Sequence, residues 1–221
     1  MGTTPSSPSS PPSPPSPPSP RRTELLDACY AYLLEHGLTG LSLRPLAAAT
    51  GTSPRVLLYL FGSKDELLRQ LLARARHEQV GMMAAVLEKP TNATNPTNAT
   101  NAAGTAGDGF DALTESLWTF LSAPEQRPMV RLTYEAFLLS LTHDPGPWAG
   151  FAAEAARDWL DLLVRAQPPG TPPALAETRA TRALALIRGL LLDLLACGDD
   201  DRVRTAAGSG EPTVSGESLT R

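Results

Sequence analysis

Three cations stand in a stretch of the chain that contains no acidic residue. Between His36 and Lys64 the sequence has no Asp or Glu, yet it contains Arg44, Arg55 and Lys64. The formal charge of the whole 221-residue chain is −4. Affinity for phosphate groups depends on the local charge more than on the total charge. The segment therefore indicates a small DNA-contacting face on an otherwise acidic protein.

Side chains that could act in catalysis or bind a metal are not clustered in the sequence. His36, His77 and His143 are isolated, and the sequence has neither a Gly-rich phosphate loop nor a Cys/His cluster with metal-ligand spacing. Cys29 and Cys197 each lie in an apolar helical pattern, which favours small buried thiols over a redox or metal role. The sequence therefore predicts no enzyme, no catalytic residue, no metal and no cofactor.

The elements that would position the cations are helical, because Leu and Ala dominate the chain after residue 20. Apolar residues recur at spacings of three and four in the first helix, and Gly37 supplies its stop. Two short helices follow, joined by the turn at 50–53, which is the size of a helix-turn-helix. The predicted bounds of the first four helices are 23–36, 43–50, 54–60 and 64–87.

Four further helical patterns follow, at 110–121, 127–142, 148–166 and 174–197. The last one is apolar around most of its circumference, although Arg188 and Asp193 interrupt the Leu-rich run at 184–195. A helix packed on one side needs only a single apolar stripe. We therefore expect this helix to bury two faces, one of them against a second copy of the chain.

Three segments lack an apolar helical pattern and are predicted to be disordered: a Pro/Ser-rich arm at 1–20, an Asn/Thr-rich loop at 89–109 and a tail at 199–221. Between them the sequence predicts a helix-turn-helix domain at 21–68 and a larger helical domain at 69–198. Neither a secretory signal nor a membrane-spanning run is evident. A cytoplasmic protein with no membrane partner is expected.

Several short motifs carry a resemblance to a known family. They are HG at 36–37, LSLRPLA at 41–47, GTSPR at 51–55 and LLYLFGSKDELL at 57–68. With them, residues 25–72 resemble the DNA-binding domain of the tetracycline-repressor (TetR) family of bacterial regulators. The last string is the most specific, because it combines an aromatic close of the third helix, a short break, a lysine and an acidic-Leu-Leu start.

The resemblance implies a role for each matched residue. Apolar positions would form a three-helix core, and the third helix would enter the major groove of DNA. The core candidates are Leu26, Leu33, Leu43, Leu46, Ala47, Val56, Leu57 and Phe61. The DNA-binding candidates are Ser42, Arg44, Thr52, Ser53, Arg55, Tyr59 and Lys64.

Two of these roles have alternatives. Arg55 could contact the edge of a guanine base, and a phosphate contact or a solvated surface position fits the sequence equally well. Tyr59 could contact a phosphate or occupy a half-buried core position. Lys64 is expected to contact phosphate. Arg21 and Arg22 would end the flexible arm, which we expect to serve solubility more than minor-groove contact.

The sequence departs from the family where many members carry Tyr and His, since Leu58 and Leu60 stand there. A helical interaction protein that has lost DNA binding is therefore the alternative function. The main hypothesis is a homodimeric repressor that leaves a palindromic double-stranded operator when a small molecule binds its C-terminal domain. The candidate ligand-binding residues are Trp118, Leu121, Met129, Tyr134, Phe137 and Leu138.

Overall fold

The computed structural model describes residues 19–88, 108–198 and 200–207. Most of the predicted arm, loop and tail lies outside these ranges. Within them the prediction of an all-α fold is confirmed, with helices and no strand. The helices are α1 (Pro20–His36), α2 (Leu43–Ala49), α3 (Pro54–Phe61), α4 (Lys64–Glu88), α5 (Asp108–Leu121), α6 (Arg127–Ser140), α7 (Phe151–Arg165), α8 (Pro173–Cys197) and α9 (Asp200–Ala206).

Helix α1 begins earlier than the sequence predicted. The Ser19 side chain accepts a hydrogen bond from the backbone N–H of Arg22, and Pro20 occupies the first helical turn. Ser at the N-cap and Pro at the first position are the favoured start of a helix. The predicted start at Thr23 was therefore wrong, and the last residues of the expected arm belong to α1.

Helices α2 and α3 form the helix-turn-helix. Thr50 ends α2, with its hydroxyl donating to the carbonyl of Leu46 at 2.9 Å. Gly51 has a φ of 62°, in the left-handed region that favours glycine, and the Thr52 N–H donates to the Ala47 carbonyl at 2.9 Å. The turn is thus closed by α2's own last residues, which fixes the start of α3.

Helices α1 to α4 share their hydrophobic core with the second half of the chain. Leu132 and Ala136 of α6 and Phe151 and Ala155 of α7 are buried in the same cluster as residues of α1 to α4. Of the predicted core, Leu33, Leu46, Ala47, Leu57 and Phe61 are buried. Leu26 and Leu43 pack only partly buried against the cluster, and Leu25 lies inside it instead.

Val56 is the core candidate that was wrong, since 39% of its surface is exposed. It lies one residue before the buried Leu57 on a short helix, and adjacent helical positions point about 100° apart. Only one of the two could face α1 and α4.

Helix α4 links the two halves of the molecule. Its 25 residues span about 37 Å at 1.5 Å per residue. The first half packs in the shared core, whereas Met83 lies in a second buried cluster with residues of α5 to α9. On the way, Arg76 pairs with Glu154 and, at 2.7 Å, with Asp158 of α7.

Two predictions about the C-terminal end of the described chain were wrong. Residues 200–206, expected in a disordered tail, form α9, because Val203 is buried and Asp200 pairs with Arg127 of α6 at 2.7 Å. Cys197, expected to be buried, is exposed at the end of α8, while Cys29 is buried as expected. No helix in the described ranges has the length and apolar character to cross a membrane.

Candidate nucleic-acid interface and ligand cavity

Helix α3 exposes the residues proposed to contact DNA. Leu57 and Phe61 point into the core, whereas Arg55 and Tyr59, four residues apart, lie on one solvent-facing side. The side chain of Tyr59 is 86% exposed, which excludes the half-buried core position as its role. The side chains of Arg55 and Tyr59 are therefore exposed to solvent on the outer face of the helix.

At the start of α3, Ser53 and Thr52 have structural partners. The Ser53 hydroxyl oxygen accepts a hydrogen bond from the Val56 N–H at 3.3 Å, as an N-cap does. Thr52 is half-buried in the turn. Ser53 is exposed, so its hydroxyl proton remains available to an external acceptor.

Lys64 is held close to the start of α2. Its ammonium group donates to the carbonyl of Leu41 at 2.6 Å, and Leu41 directly precedes the N-cap Ser42. The Ser42 side chain makes no capping hydrogen bond, and Arg44 is exposed two residues further along the chain. The hydrogen bond to Leu41 thus brings Lys64 to the start of α2, where Ser42 and Arg44 are exposed.

Arg22 is not part of a free arm. Its guanidinium donates to the Leu60 carbonyl at 3.3 Å and to the Gln70 side chain at 2.5 Å, and it lies 5.0 Å from the centre of the Phe61 ring. These contacts join α1 to the end of α3 and to α4. The expectation that Arg22 ends a flexible segment was therefore wrong.

Helix α6 holds the C-terminal end of α1 through two charged side chains. Arg131 donates to the carbonyls of Leu34 and Glu35 at 3.3 and 3.1 Å, where a cation favours the helix dipole. Glu135 accepts a hydrogen bond from the Leu38 N–H at 2.5 Å. A Cβ at Gly37, whose φ is 76°, would lie 2.8 Å from both Glu135 carboxylate oxygens.

A cavity of about 40 Å³ lies behind this junction, between α4, α6, α7 and α8. A site needs roughly 10–15 Å³ to hold one water, so the cavity is large enough for water. Its lining is mostly apolar and aromatic, with three polar side chains and one guanidinium. The lining residues are Gln79, Val130, Thr133, Tyr134, Phe137, Ala155, Trp159, Arg188 and Leu191.

Only two of the predicted ligand-binding residues line this cavity, Tyr134 and Phe137. Trp118 and Leu121 are packed in the second core cluster, Met129 borders a separate open groove beside Tyr30 and Glu78, and Leu138 is 58% exposed. The prediction paired α5 with α6, whereas the cavity faces α4, α7 and α8. The missed signal in the sequence was Arg188, a cation within a run of leucines.

Burial shifts the pKa of two side chains that line the cavity, Tyr134 and Arg188. The Tyr134 hydroxyl donates to the backbone carbonyl of Arg188 at 2.5 Å, and burial raises the pKa of Tyr134 to about 12. Burial also lowers the pKa of Arg188, whose guanidinium lies 4.9 Å from the centre of the Phe137 ring. No group of His, Cys, Asp and Glu suited to a metal ion occurs in the described ranges.

Comparison with sequence families finds one match, and it lies within the first four helices. Residues 25–71 match the family described as bacterial regulatory proteins, tetR family. The match begins in α1, covers the helix-turn-helix and ends in the first half of α4. No curated protein matches the chain.

Solved structures resemble the whole described fold. A TetR transcription regulator from Haloarcula marismortui is 18% identical, with a TM-score of 0.63, and the match covers 86% of this chain and 93% of that one. A transcriptional regulator from Saccharomonospora viridis, solved with choline, is 18% identical with a TM-score of 0.58, covering 85% and 93%. The multidrug-binding protein EbrR, solved with imidazole, is 24% identical with a TM-score of 0.57, covering 88% and 93%.

Proposed function

We propose, from the match of residues 25–71 to the tetR family of bacterial regulatory proteins, that the chain is a ligand-responsive transcriptional repressor. The proposed mechanism is release from operator DNA when a small molecule binds between α4, α6, α7 and α8. The observation that carries the proposal is the family match over a helix-turn-helix whose outer face is basic and free of acids between residues 37 and 63. Because DNA is its target, the protein would act in the cytoplasm.

On DNA, the outer face of α3 would lie in the major groove. Arg55 and Tyr59 are both exposed on this face, so we assign Arg55 to a base edge and Tyr59 to a phosphate. Lys64 lies beside the start of α2, where Ser42 and Arg44 are exposed, and the three would hold the neighbouring phosphates. Thr52 and Ser53 would support the start of α3.

The two halves would communicate through α6. Tyr134 and Phe137 face the cavity, whereas Arg131 and Glu135 of the same helix hold the end of α1. A ligand that displaces the cavity side of α6 would therefore shift the support of α1. Coupling between two sites of a protein is typically about 1–3 kcal/mol.

Binding to a palindromic operator requires two copies of the chain. Leu186 and Leu192 of α8 are 51% and 47% exposed, and Gly189 lies between them with nothing within 4 Å of the position of a Cβ. Val164 of α7 is 37% exposed. We propose that α7 and α8 pack against their copies as a four-helix interface, which sets the two recognition helices about 34 Å apart or a multiple of that.

The test is binding to DNA that flanks the chain's own gene, measured by fluorescence anisotropy at several salt concentrations. Lys64→Ala is expected to weaken binding to every sequence and to lower the salt slope by about one unit, because one phosphate contact is lost. Arg55→Ala is expected to reduce the preference for the operator over unrelated DNA by about 10-fold or more.

Arg165→Ala removes an exposed cation at the far end of α7 and serves as the control, with unchanged binding expected. If wild type binds no flanking DNA at low salt, the alternative of a helical interaction protein replaces the proposal. If wild type binds but both variants match it, the docking face is wrong.

A further inference from the structure

Arg188 is a cation without an acidic partner inside the ligand cavity. It lies on α8 in the leucine run, is only partly accessible to solvent, and makes no ion pair with any Asp or Glu of the described ranges. Its contacts there are the Phe137 ring and, through its own carbonyl, the Tyr134 hydroxyl. Arginines withdrawn from water are normally paired, so a half-buried arginine in a cavity with no acid beside it leaves a place for an anion.

Gln79 provides a second group that faces the same space. Its side chain is 4% exposed, and no hydrogen bond joins its amide to another described residue. The hydroxyl side chains are already engaged, since the Thr133 hydroxyl donates to the Met129 carbonyl at 2.9 Å and Tyr134 donates to Arg188. The cavity groups with unsatisfied hydrogen-bonding capacity are therefore the Arg188 guanidinium, the Gln79 amide and the Trp159 indole N–H, and no carboxylate lines the cavity.

The rest of the cavity lining indicates the chemistry of the uncharged part of the ligand. Phe137, Val130 and Leu191 offer only apolar or aromatic surface, and Trp159 adds an aromatic ring with one N–H donor. A guanidinium matches a carboxylate with two parallel hydrogen bonds, and an apolar body beside it gains about 25 cal/mol for each Å² removed from water. A cation would instead meet Arg188 with no acid to offset the repulsion.

We propose that the effector is a small carboxylate with an apolar body, whose carboxylate pairs with Arg188 and accepts a hydrogen bond from the Gln79 amide. This inference rests on the proposed function for its regulatory meaning, but the binding site can be tested alone. The cavity of about 40 Å³ must widen to admit the apolar body. Phe137, which lies over the guanidinium and also packs against the shared core, is the side chain that must give way.

The test measures binding to the DNA-free full-length protein by calorimetry. The probes are phenylacetate and hexanoate, with phenylacetamide as a neutral match and phenethylammonium as a cationic match. Both carboxylates are expected to bind, at least 10-fold more tightly than phenylacetamide, and the cation is expected not to bind. Tighter binding of hexanoate than of phenylacetate, or the reverse, identifies the apolar body as aliphatic or aromatic.

Arg188→Met removes the charge and keeps an apolar side chain of similar length. It is expected to weaken carboxylate binding at least 10-fold and to leave phenylacetamide unaffected. Its melting temperature should not fall, because no ion pair is broken. Arg188→Lys should give intermediate affinity, Gln79→Leu should weaken carboxylate binding several-fold, and Arg182→Met, at an exposed position of the same helix, is the matched control.

The inference is overturned if the amide binds as well as the carboxylate, if Arg188→Met keeps the preference, or if none of the carboxylates binds. Operator binding is measured separately with the same protein samples. Operator binding without carboxylate binding removes only this inference. Carboxylate binding that depends on Arg188, in a protein that binds no operator, removes only the proposed function.

Discussion

The two thiols have opposite surroundings, although both lie in apolar helical patterns. Cys29 is fully buried in α1, and burial raises the pKa of its thiol to about 11. Cys197 is exposed at the end of α8, where its thiol donates to the Asp193 carboxylate at 3.2 Å, an interaction that raises the pKa of Cys197. Reactivity requires both access and thiolate, so the two cysteines are protected in different ways.

We predict that iodoacetamide at pH 8 modifies native protein at Cys197 and leaves Cys29 unmodified, as read by peptide mass spectrometry. Asp193→Asn removes the charge that opposes the thiolate and is expected to speed modification of Cys197 several-fold. In urea both thiols should react at similar rates. Modification of Cys29 in the native protein would contradict its burial, and an unchanged rate in Asp193→Asn would contradict the role of the carboxylate.

Exposure can be predicted from sequence where it follows from the pattern of a single helix. Arg55 and Tyr59 are exposed because Leu57 and Phe61 fill the core side of α3, a pattern readable along eight residues. The cavity depends on which faces of four separate helices meet, which no local pattern contains. Trp118 was therefore assigned to the cavity when it is buried in the core, and Arg188 was recognised only as an interruption.

At the scale of elements, α6 approaches the end of α1 so closely that only a glycine fits at position 37. Gly37 ends α1 with a positive φ, and its missing side chain lets the Glu135 carboxylate reach the Leu38 N–H. Any Cβ there would meet both carboxylate oxygens at 2.8 Å. Glycine at this position is thus required by backbone conformation and by the approach of a neighbouring helix.

We predict that Gly37→Ala lowers the free energy of unfolding by about 3 kcal/mol in the wild-type background, measured by urea denaturation. About 1–2 kcal/mol of this is the cost of a left-handed backbone conformation for alanine. The remainder comes from displacing Glu135 from its hydrogen bond with the Leu38 N–H.

The double-mutant cycle separates the two contributions. In a Glu135→Ala background, Gly37→Ala should cost only the backbone part, and operator affinity should already respond less to ligand because one of the α1–α6 contacts is lost. Equal costs in both backgrounds would show that Gly37 and Glu135 do not interact.

The long helices were predictable from sequence to within a few residues, because each has an apolar stripe and a clear stop. Helix α9 was not, since its seven residues contain one large apolar side chain, Val203. Its other anchors are the pairs of Asp200 with Arg127 and of Arg202 with Asp193. The first of these partners lies 73 positions away in the sequence, where no periodicity could reveal it.

At the scale of the whole molecule, the surface of α8 indicates how two copies would meet. The sequence suggested a leucine helix with two buried faces, and the described chain buries one of them, including Leu191. The other face exposes Leu186 and Leu192 on either side of Gly189. Exposed leucines flanking a glycine allow close approach of a second helix, which favours an interface between copies.

We predict that Leu186→Glu converts a dimer into a folded monomer with a weakened operator affinity, as measured by sedimentation and anisotropy. The charge would be buried unpaired only in the assembled state. Leu138→Glu, at an exposed leucine of α6, is the control and should remain dimeric. Leu191→Glu places the charge inside the subunit and should reduce folding itself. Wild type that sediments as a monomer with full operator affinity would refute the arrangement.

The core shared by α1 to α4 with α6 and α7 bears on how this protein could be re-engineered. A hybrid regulator made by cutting after residue 88 would separate Leu25 and Leu33 from Leu132 and Phe151, which lie in the same buried cluster. In the hybrid, the apolar side of α1 to α4 would pack against the side chains of a different C-terminal domain. A workable cassette must bring along the matching faces of α6 and α7, so DNA specificity and effector specificity cannot be exchanged here as independent parts.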